Sequence, residues 1–574
     1  MTLNDILQGA LQAYNTGQFE KSRQLLESGL ALDEQCQPCL WGLIKVCDAL
    51  QDEQGSVNSL HKLATLLPDD ISVLEAFTAR CQTPKQLDLA IDLYAGYLHR
   101  RPDSADGHYN YAYLLARAGK PSSAIVAYER AIALGAERPE EIVLNISTVY
   151  SQQLRDDAEA DLQLHRAIAL NSRYVPAFFN LGCLAEQQGD RDGACAYFSH
   201  CLELDSSYLP ALARLADARQ FEDETDPLIV RLKLQAAKSD DPDLHFALGR
   251  ALEQCGKFRA SLAHFDKANS ADRLNYRKYV PTAIEAEFDA IKQTFNDEWF
   301  KQNRLSHSAS PVFICGMFRS GSTLVEQILA AHSAFTPAGE REFFSRLVET
   351  ELPSYPRDSE QITKSALQSW AARYQEESDR IFGRNTRLTD KRPDNFLYLG
   401  LIKALFPAAK IIVTHRAWRD IAWSIYSTRF GQAQHYATDI RTIRHYINLQ
   451  TDLMTHWQSL FGQDIFTVEY ESLVTAPRQT LTSLLNFLGE PWEEDCLTFN
   501  TLKNTVKTES VWQVRQPLYT SSVGRSAPFA ELRPELFDSV RSICLHPKTI
   551  QPRGLSAKQR HARTDPDSCC VRYE

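Results

Sequence analysis

Glycines in short polar segments recur at regular intervals through the first half of the chain. Gly17, Gly119, Gly189 and Gly256 are separated by nearly whole multiples of about 34 residues, and each stands in a polar stretch such as "NTGQFEKS" or "EQQGDRDGA". Apolar residues recur with helical spacing between these turns, which indicates a pair of helices in each unit. Because one such pair cannot bury its apolar face alone, neighbouring pairs must stack. The spacing therefore predicts an α-helical solenoid.

The residues within one helix pair support this prediction. In "GHYNYAYLLARAGKPSSAIVAYERAIAL", Leu114 and Leu115 are apolar residues before the turn, and Ala124 and Ala131 are small residues that allow close helix packing after it. This part of the chain resembles tetratricopeptide repeats, with roughly eight of them expected in residues 1–275. Such an array has no catalytic chemistry of its own, and it presents a concave surface to an extended peptide or a partner helix.

The sequence pattern changes after the repeats. We expect a connecting helix from about Pro281 to Gln302 and a polar linker, "NRLSHSASP", within residues 276–310. Short apolar runs then alternate with helical segments, which predicts an α/β domain with a parallel sheet over residues 311–555. The remaining residues, 556–574, are polar and are expected to be disordered.

The segment "PVFICGMFRSGSTLVEQIL" has the order of a phosphate-binding loop, with an apolar strand, a glycine-rich turn and a helix. Gly316 and Gly321 have the spacing of a nucleotide triphosphatase loop, but Ser322 stands where that loop has its lysine. Backbone N–H groups of residues 319–323 and the helix N-terminus would still favour an anion. The loop therefore predicts a phosphate-bearing ligand that is bound without the lysine.

A second segment, "AKIIVTHRAWRDIAWSIYSTRF", places an arginine at the end of another strand. Arg416 follows that strand, and Ser424 stands on the helix that comes next. A magnesium-dependent triphosphatase needs an acidic residue near such a strand end to hold the metal. An arginine with a nearby hydroxyl instead suits a terminal phosphate dianion. The two segments together predict a nucleotide with phosphate groups at two separate points, and they argue against an ATPase or a kinase.

These motifs resemble those of the sulfotransferases. "PVFICGMFRSGSTL" looks like the loop that binds a 5′-phosphosulfate, and "RAWRDIAWS" is similar to the motif that binds a 3′-phosphate. The resemblance continues through "TDKRPDNFLYLGLIKALFP" and "SVWQVRQPLYTSSVGR" and covers residues 311–550. The whole chain looks like a tetratricopeptide-repeat sulfotransferase whose catalytic half is similar to protein-tyrosine sulfotransferases. This implies 3′-phosphoadenosine 5′-phosphosulfate, PAPS, as the sulfuryl donor, with no metal required.

The resemblance also implies a role for individual donor-site residues. The matching positions are Arg319, Ser320, Gly321, Ser322 and Thr323 for the 5′-phosphosulfate, Arg416 and Ser424 for the 3′-phosphate, Tyr470 for the nucleotide side of the pocket, and Ser510, Gln513, Arg515, Tyr519 and Arg525 for a late segment that closes over the donor. A further family arginine falls on Thr428, with Arg429 one place later.

The motif "GEREFF" offers two carboxylates for proton removal from the acceptor hydroxyl, Glu340 and Glu342. In related glycan sulfotransferases the base lies three residues before a Phe-Phe pair, which selects Glu340, whereas alignment on the Gly-Glu-Glu of tyrosine sulfotransferases puts the base position on Arg341. Lys391 resembles the lysine that neutralises charge on the bridging oxygen. The predicted catalytic residues are therefore Glu340, Lys391 and Arg319.

Composition argues against some classes of partner and location. The formal net charge of -11 disfavours a nucleic-acid or anionic-membrane surface. The beginning, "MTLNDILQGALQAYNTGQFEKS", lacks a secretory signal, and no apolar run is long enough to span a membrane, so we expect a cytoplasmic protein. The 13 cysteines follow no disulfide framework, and the C-x-x-C of Cys36 and Cys39 is interpreted as structural.

The repeats bear on the acceptor. A small phenol or sugar would fit inside an α/β domain and would leave the repeats without a task, whereas a polypeptide could lie along them and present one residue to Glu340. We therefore expect a protein hydroxyl, with tyrosine as the modified residue. The alternatives are a glycan or lipid sulfotransferase that uses the repeats for partner assembly, a non-catalytic repeat scaffold, and a kinase. The sequence indicates no oligomeric state.

Overall fold

The computed structural model describes residues 2–306, 309–384 and 386–537 of the chain. The chain divides into two compact units, Met1–Ala177 and Phe178–Glu574. Residues 178–275 therefore share a unit with the predicted α/β domain, and the domain limits at 275, 310 and 555 stay predictions. Two linker residues, the predicted domain beyond residue 537 and the tail 556–574 lie outside the described residues.

The first unit is helical over its described residues, as the repeat spacing predicts. Its α-helices are Leu3–Asn15, Phe19–Leu32, Gln37–Leu50, Glu53–Leu66, Ile71–Thr78, Pro84–Arg100, Ala105–Arg117, Pro121–Ala133, Pro139–Val149 and Asp157–Leu170, and a π-helix spans Tyr150–Leu154. Side-chain caps begin several of them; the Thr83 hydroxyl, for example, accepts a hydrogen bond from the backbone N–H of Gln86. The next helix, Val175–Gln188, contains the limit between the two units.

The glycines that mark the repeats lie where helices end. Gly17, Gly119, Gly189 and Gly256 have φ of 74°, 70°, 83° and 68°, in the left-handed region that residues with a side chain rarely adopt. Each glycine therefore allows the chain to turn from one helix into the next, which confirms the sequence-based placement of the turns.

The second unit continues the helix pairs. Its helices after Val175–Gln188 are Arg191–Leu204, Leu209–Ala218, Pro227–Ala236, Pro242–Gln254, Phe258–Asn275, Pro281–Thr294 and Asp297–Gln302. The predicted connecting helix is two helices, because the Asn296 side chain accepts a hydrogen bond from Trp299 N–H and starts the second one. Phe288, Ile291 and Phe295 of this segment are buried in the same apolar core as residues of the sheet.

Five parallel strands form a sheet in the described part of the second unit. They are β1 (Val312–Gly316), β2 (Thr336–Gly339), β3 (Leu388–Lys391), β4 (Lys410–His415) and β5 (Ile465–Glu469), in the order β2-β3-β1-β4-β5. The register pairs Gly316 with Thr414 at the carboxyl ends of β1 and β4. Because all strands run in the same direction, the residues that follow them meet at one edge of the sheet. The predicted α/β fold is confirmed.

Helices cover both faces of this sheet. The α-helices are Ser322–Ala330, Phe343–Glu351, Lys364–Phe382, Leu399–Leu405, Trp418–Tyr426, Ile440–Phe461, Tyr470–Thr475, Pro477–Leu488, Val511–Val514, Ala527–Leu532 and Pro534–Phe537, and the 3₁₀ helices are Arg357–Gln361, Pro393–Leu397, Gln432–Thr438, Gly462–Asp464, Glu494–Leu497 and Phe499–Thr501. Phe313 and Ile411 pack in one apolar core, and the alternate residues Ile314 and Ile412 pack in another on the opposite face. No helix among the described residues is both long and apolar enough to cross a membrane.

Candidate active site

The glycine-rich loop after β1 has a backbone that most residues would not adopt. Gly316 and Gly321 have φ of 147° and 104°, and Arg319 has φ of 68° although it carries a side chain. A Cβ atom on Gly316 would lie 2.5 Å from the carbonyl oxygen of Thr414, so no larger residue fits there. A non-glycine residue held in the left-handed region is typical of ligand-binding turns. The loop therefore has the local strain expected of a binding site.

The hydroxyl groups of the loop lie inside it. The Ser320 hydroxyl is 2.6 Å from the Thr414 hydroxyl, which ties the loop to the end of β4. Ser322 and Thr323 are buried in the first turn of the helix, and the Thr323 Oγ1 atom is 3.5 Å from Thr508 Oγ1. These contacts fix the shape of the turn whose backbone N–H groups are predicted to face an anion.

The Arg319 guanidinium brings three predicted segments together. Its Nε donates to the hydroxyl of Ser424 at 3.0 Å, its Nη1 to the hydroxyl of Ser510 at 2.5 Å, and its Nη2 to the side-chain oxygen of Gln513 at 2.9 Å. The loop, the helix after β4 and the late segment therefore converge on one arginine, although Ser510 is 191 positions away from it in sequence.

Arg416 lies beside this group at the end of β4. Its Nη1 donates to the carbonyl of Arg319 at 3.2 Å and its Nη2 to the carbonyl of Ser522 at 2.5 Å, while its Nε is buried without a partner among the described residues. The guanidinium carbon is 4.6 Å from the centre of the Tyr470 ring. A Cβ atom on Gly321 would lie 2.9 Å from that ring, so this glycine permits the approach of Tyr470.

A cavity of about 360 Å³ opens at the same end of β4. It is lined by Met317, Thr414, His415, Arg416, Ala417, Trp418, Ile421, Arg444, Ile447, Asn448, Gln450 and Thr451. The cavity therefore lies next to the arginine that is predicted to bind a phosphate group.

The electrostatics of the site favour an anion. Burial together with the positive charges of Arg525 and Arg416 lowers the pKa of Arg319 to about 10, although Glu509 and Tyr519 oppose this shift. Neither Arg319 nor Arg416 forms an ion pair with a carboxylate of the described residues. Buried cations normally have a paired anion, so this cluster is suited to one supplied by a ligand.

Two of the predicted catalytic residues, Glu340 and Lys391, lie at the ends of the neighbouring strands β2 and β3. The Lys391 ammonium group is fully buried and forms an ion pair with the carboxylate of Glu340, whose side chain is partly exposed. Glu342 is exposed at the start of the helix Phe343–Glu351, and its side chain forms no cap hydrogen bond. Of the two candidate carboxylates, only Glu340 therefore contacts Lys391.

Arg341, the position selected by the alternative alignment, faces away from this pair. It is buried, its Nη1 donates to the Ser378 hydroxyl at 2.6 Å, and its guanidinium carbon is 4.2 Å from the centre of the Tyr374 ring. An arginine held this way supports the packing of the helix Lys364–Phe382 and cannot act as a base.

Two late arginines predicted at the donor make other contacts. Arg515 donates to the backbone carbonyls of Leu502 at 2.6 Å and of Gln187 at 3.3 Å. Arg525 forms two hydrogen bonds with the carboxylate of Glu253, at 2.7 and 2.8 Å. Gln187 and Glu253 belong to repeat helices, so both arginines connect the late segment to the repeats. Their direct contact with the donor stays a prediction.

Arg429 also contacts the repeats. Its guanidinium forms a forked pair with Asp272, with an Nη2–Oδ1 distance of 2.9 Å, and its Nη1 donates to Asp243 at 2.8 Å. The Thr428 hydroxyl donates to the Ser424 carbonyl at 2.9 Å. Neither side chain contacts Arg319 or Arg416, so the further family arginine has no equivalent at this site among the described contacts.

Two buried carboxylates were missed by the sequence analysis. Asp420 accepts hydrogen bonds from the backbone N–H groups of Gly524 and Ser526, at 2.7 and 3.0 Å. Asp390, next to Lys391, accepts from the hydroxyl of Tyr374 at 2.9 Å, and burial raises its pKa. Asp420 lies within the motif "RAWRDIAWS", where an acid four residues after the arginine predicted to bind phosphate could have indicated a supporting role.

Comparisons with known proteins agree with this geometry. Residues 311–494 match a family model described as "Sulfotransferase family", and residues 175–208 match one described as "Tetratricopeptide repeat". An uncharacterised protein of Aquifex aeolicus (strain VF5) is 37% identical over 340 residues, which cover 54% of this chain and 44% of that protein. A protein-tyrosine sulfotransferase of Drosophila melanogaster is 27% identical over 195 residues, 32% of this chain and 39% of that protein.

The sequence identity to a solved structure is lower. The sulfotransferase domain from the Synechococcus PCC 7002 olefin synthase is 21% identical and covers 40% of this chain and 97% of that chain, with a TM-score of 0.27. This score is too low to support an assignment, which depends on the family models. The chain spans less than half the length of the two curated relatives described above. Residues 311–494 are thus a domain of the sulfotransferase family, in a chain that also carries a tetratricopeptide repeat.

Proposed function

We propose that this chain transfers a sulfuryl group from PAPS to an acceptor hydroxyl. The observation that carries the proposal is the convergence of Arg319 and Arg416 at the ends of β1 and β4. The Ser424 hydroxyl binds Arg319, and no carboxylate of the described residues pairs with either arginine. Two anchored guanidinium groups suit a ligand with two phosphate-type groups. The loop has neither the lysine nor the strand-end acid that a magnesium triphosphatase uses, which disfavours the kinase alternative.

Each group of the site has a task in this reaction. The loop residues and Arg319 hold the phosphosulfate, and Arg416 with Ser424 holds the 3′-phosphate. PAPS supplies an activated sulfuryl group whose bond to the phosphate oxygen breaks as the bond to the acceptor oxygen forms. Glu340 accepts the proton of the acceptor hydroxyl, and Lys391 stabilises the negative charge on the departing phosphate oxygen. The ion pair of Glu340 and Lys391 would hold the carboxylate and the ammonium group side by side at the reacting centre.

We further propose a protein tyrosine as the acceptor. Its support is the similarity to the Drosophila protein named as a protein-tyrosine sulfotransferase, together with repeats that could hold a polypeptide. A glycan or lipid acceptor remains the alternative, with the repeats used for partner assembly. A cytoplasmic location and the absence of a metal requirement stay predictions.

Donor use is tested with labelled PAPS and purified full-length protein in the presence of EDTA. Transfer to a tyrosine peptide or a protein acceptor is expected without added metal. Loss of transfer that Mg²⁺ restores would contradict the proposal. Arg416→Ala should weaken binding of the product PAP, since it removes charge-assisted hydrogen bonds worth about 1.5–3 kcal/mol.

The base is tested by a matched pair of variants. Glu340→Gln should leave PAP affinity unchanged and lower turnover by about 10²–10⁴-fold, whereas Glu342→Gln at the neighbouring exposed carboxylate should keep full turnover. The opposite ranking of the two variants would assign the base to Glu342.

A further inference from the structure

One carboxylate of the last helix pair faces the sulfotransferase domain. Glu253, near the end of the helix Pro242–Gln254, accepts hydrogen bonds from the Nε and Nη2 atoms of Arg525 at 2.7 and 2.8 Å. Its side chain is 9% exposed, and its Oε1 atom also lies 3.4 Å from the indole nitrogen of Trp423. A forked arginine–carboxylate pair with so little exposure fixes both the position and the orientation of the guanidinium.

The backbone at Arg525 is held from the other side. Asp420, in the helix after β4, is 3% exposed and binds the N–H groups of Gly524 and Ser526 together with the Ser526 hydroxyl, at 2.7, 3.0 and 2.7 Å. Arg525 is therefore clamped twice. Asp420 of the sulfotransferase domain binds the backbone on both sides of Arg525, and Glu253 binds its side chain.

The clamped segment is continuous with the predicted donor site. Ser522 accepts from Arg416, and Ser510 and Gln513 accept from Arg319. Ser522 is three residues before Arg525, so the clamp acts close to the contact with Arg416. The charge of Arg525 also lowers the pKa of Arg319. The segment from Ser510 to Arg525 thus forms one side of the site.

A second repeat contact holds the beginning of this segment. The N–H of Val506 donates to the Gln187 carbonyl at 2.9 Å, and a Cβ atom on Gly189 would lie 2.7 Å from the Nε of Arg515. The Arg191 guanidinium carbon is 4.7 Å from the centre of the Trp512 ring. The repeat turn around Gly189 and the helix that carries Glu253 therefore hold the two ends of the same segment.

We propose that Glu253 is a positioning residue for donor binding: it holds Arg525 beside Arg319, so that the last repeats complete the donor site. This inference rests on the proposed use of PAPS. The guanidinium groups of Arg319, Arg416 and Arg525 repel one another. Glu253 neutralises Arg525 and leaves Arg319 and Arg416 free to bind an anion. Loss of its charge should free Arg525 to move away and leave the anion site incompletely formed.

The test uses the full chain and titrates PAP by calorimetry, with thermal unfolding as a check on the fold. Glu253→Gln should weaken PAP binding by roughly tenfold. This is the lower end of the loss of affinity that follows substitution of a residue that positions a binding side chain. The KM for PAPS should rise similarly, whereas kcat at saturating PAPS should stay near that of the unchanged protein. Glu253→Asp should restore part of the affinity. Glu222→Gln, at an exposed glutamate of the same repeat region, is the matched control and should change nothing.

A double-mutant cycle shows whether Glu253 acts through Arg525. If it does, Arg525→Ala combined with Glu253→Gln should bind PAP no more weakly than Arg525→Ala alone. Additive losses, or an unchanged PAP affinity in Glu253→Gln, would overturn the positioning role while leaving the proposed function intact. Failure of the unchanged protein to bind PAP would overturn both.

Discussion

The helix pairs of the two units resemble each other, but their ion pairs connect different structural elements. In the first unit, arginine–carboxylate pairs such as Arg166–Glu129 and Arg100–Asp69 join neighbouring repeats. In the second unit, the last helix pair directs its carboxylates to the sulfotransferase domain, with Asp272 bound to Arg429 and Glu253 bound to Arg525. The same repeat pattern therefore forms contacts among repeats in one unit and contacts with the sulfotransferase domain in the other.

Burial distinguishes the two kinds of ion pair further. The side chains of Arg166 and Glu129 are 38% and 42% exposed, whereas that of Asp272 is 2% exposed. An exposed ion pair adds little to the free energy of unfolding, because water solvates both charges well. A buried carboxylate that loses its partner is an uncompensated charge and destabilises the fold. The contacts of the second unit should therefore be much less tolerant of substitution.

Truncation should produce the largest effect. Removal of residues 1–275 takes away Glu253, Asp243 and Asp272 and exposes the apolar surface that they border, so we expect no PAP binding and an incompletely folded product. Removal of residues 1–174 leaves the helix Val175–Gln188 whole and should keep the PAP affinity of the full chain. Circular dichroism and PAP titration of both products provide the measurement. Equal PAP binding by both would remove the distinction between the two sets of repeats.

Arg429→Ala should have the next largest effect. It leaves the buried Asp272 carboxylate without its partner, and the expected loss is about 3–5 kcal/mol in the free energy of unfolding. Hydrogen exchange followed by mass spectrometry should show the loss in residues 242–275, with the first unit unchanged. Protection of that segment equal to the unchanged protein would mean that the interface is held by apolar packing alone.

Much of this architecture could be predicted from local sequence. The turn glycines, the helix pairs and the strand–loop–helix order at Gly316 each depend on residues close together in the chain. The convergence of Arg319 with Ser424, Ser510 and Gln513 followed from family motifs that lie far apart, and the structure brings these side chains into contact. The roles of these residues in donor binding stay predictions.

The contacts between repeats and sulfotransferase domain could not be predicted in the same way. Glu253 and Arg525 are 272 positions apart, and nothing near Glu253 distinguishes it from a solvated acid on a helix surface. Its burial depends on how two folded elements pack, which no local pattern encodes. For the same reason, the contact of Arg515 with a repeat carbonyl and that of Arg525 with a repeat carboxylate were not predicted. Direct contact of these arginines with the donor stays a prediction.

A smaller effect is expected from acid, and it should also be confined to the second unit. His245 and His264, in the last helix pair, approach to 2.9 Å between their Nδ1 atoms, and burial together with the charge of His245 lowers the pKa of His264 to about 4. The unfolded chain, with an ordinary histidine pKa of about 6.5, binds more protons than the folded chain between these values. Stability should therefore fall as the pH falls from about 6.5 towards 4.

His264→Gln tests this pH dependence, because it keeps a polar partner for His245 and removes the titrating group. Hydrogen exchange in residues 242–275 should then depend less on pH over this range. His165→Gln, at an exposed histidine of the first unit, is the control and should leave the dependence unchanged. An unchanged pH dependence in His264→Gln would assign the acid sensitivity to other groups.

Arg166→Ala should have the smallest effect and completes the comparison. Arg166 and Glu129 form a forked pair, with distances of 2.5 and 3.0 Å, so two guanidinium nitrogens bind the carboxylate, as in the pair between Arg429 and Asp272. Both side chains remain partly hydrated, so its removal should cost only about 0.2–1 kcal/mol, reduced further by salt. Chemical unfolding of this variant beside Arg429→Ala separates geometry from burial as the cause of the difference. A loss in Arg166→Ala as large as that in Arg429→Ala would mean that the ion pairs between repeats matter as much as those to the sulfotransferase domain.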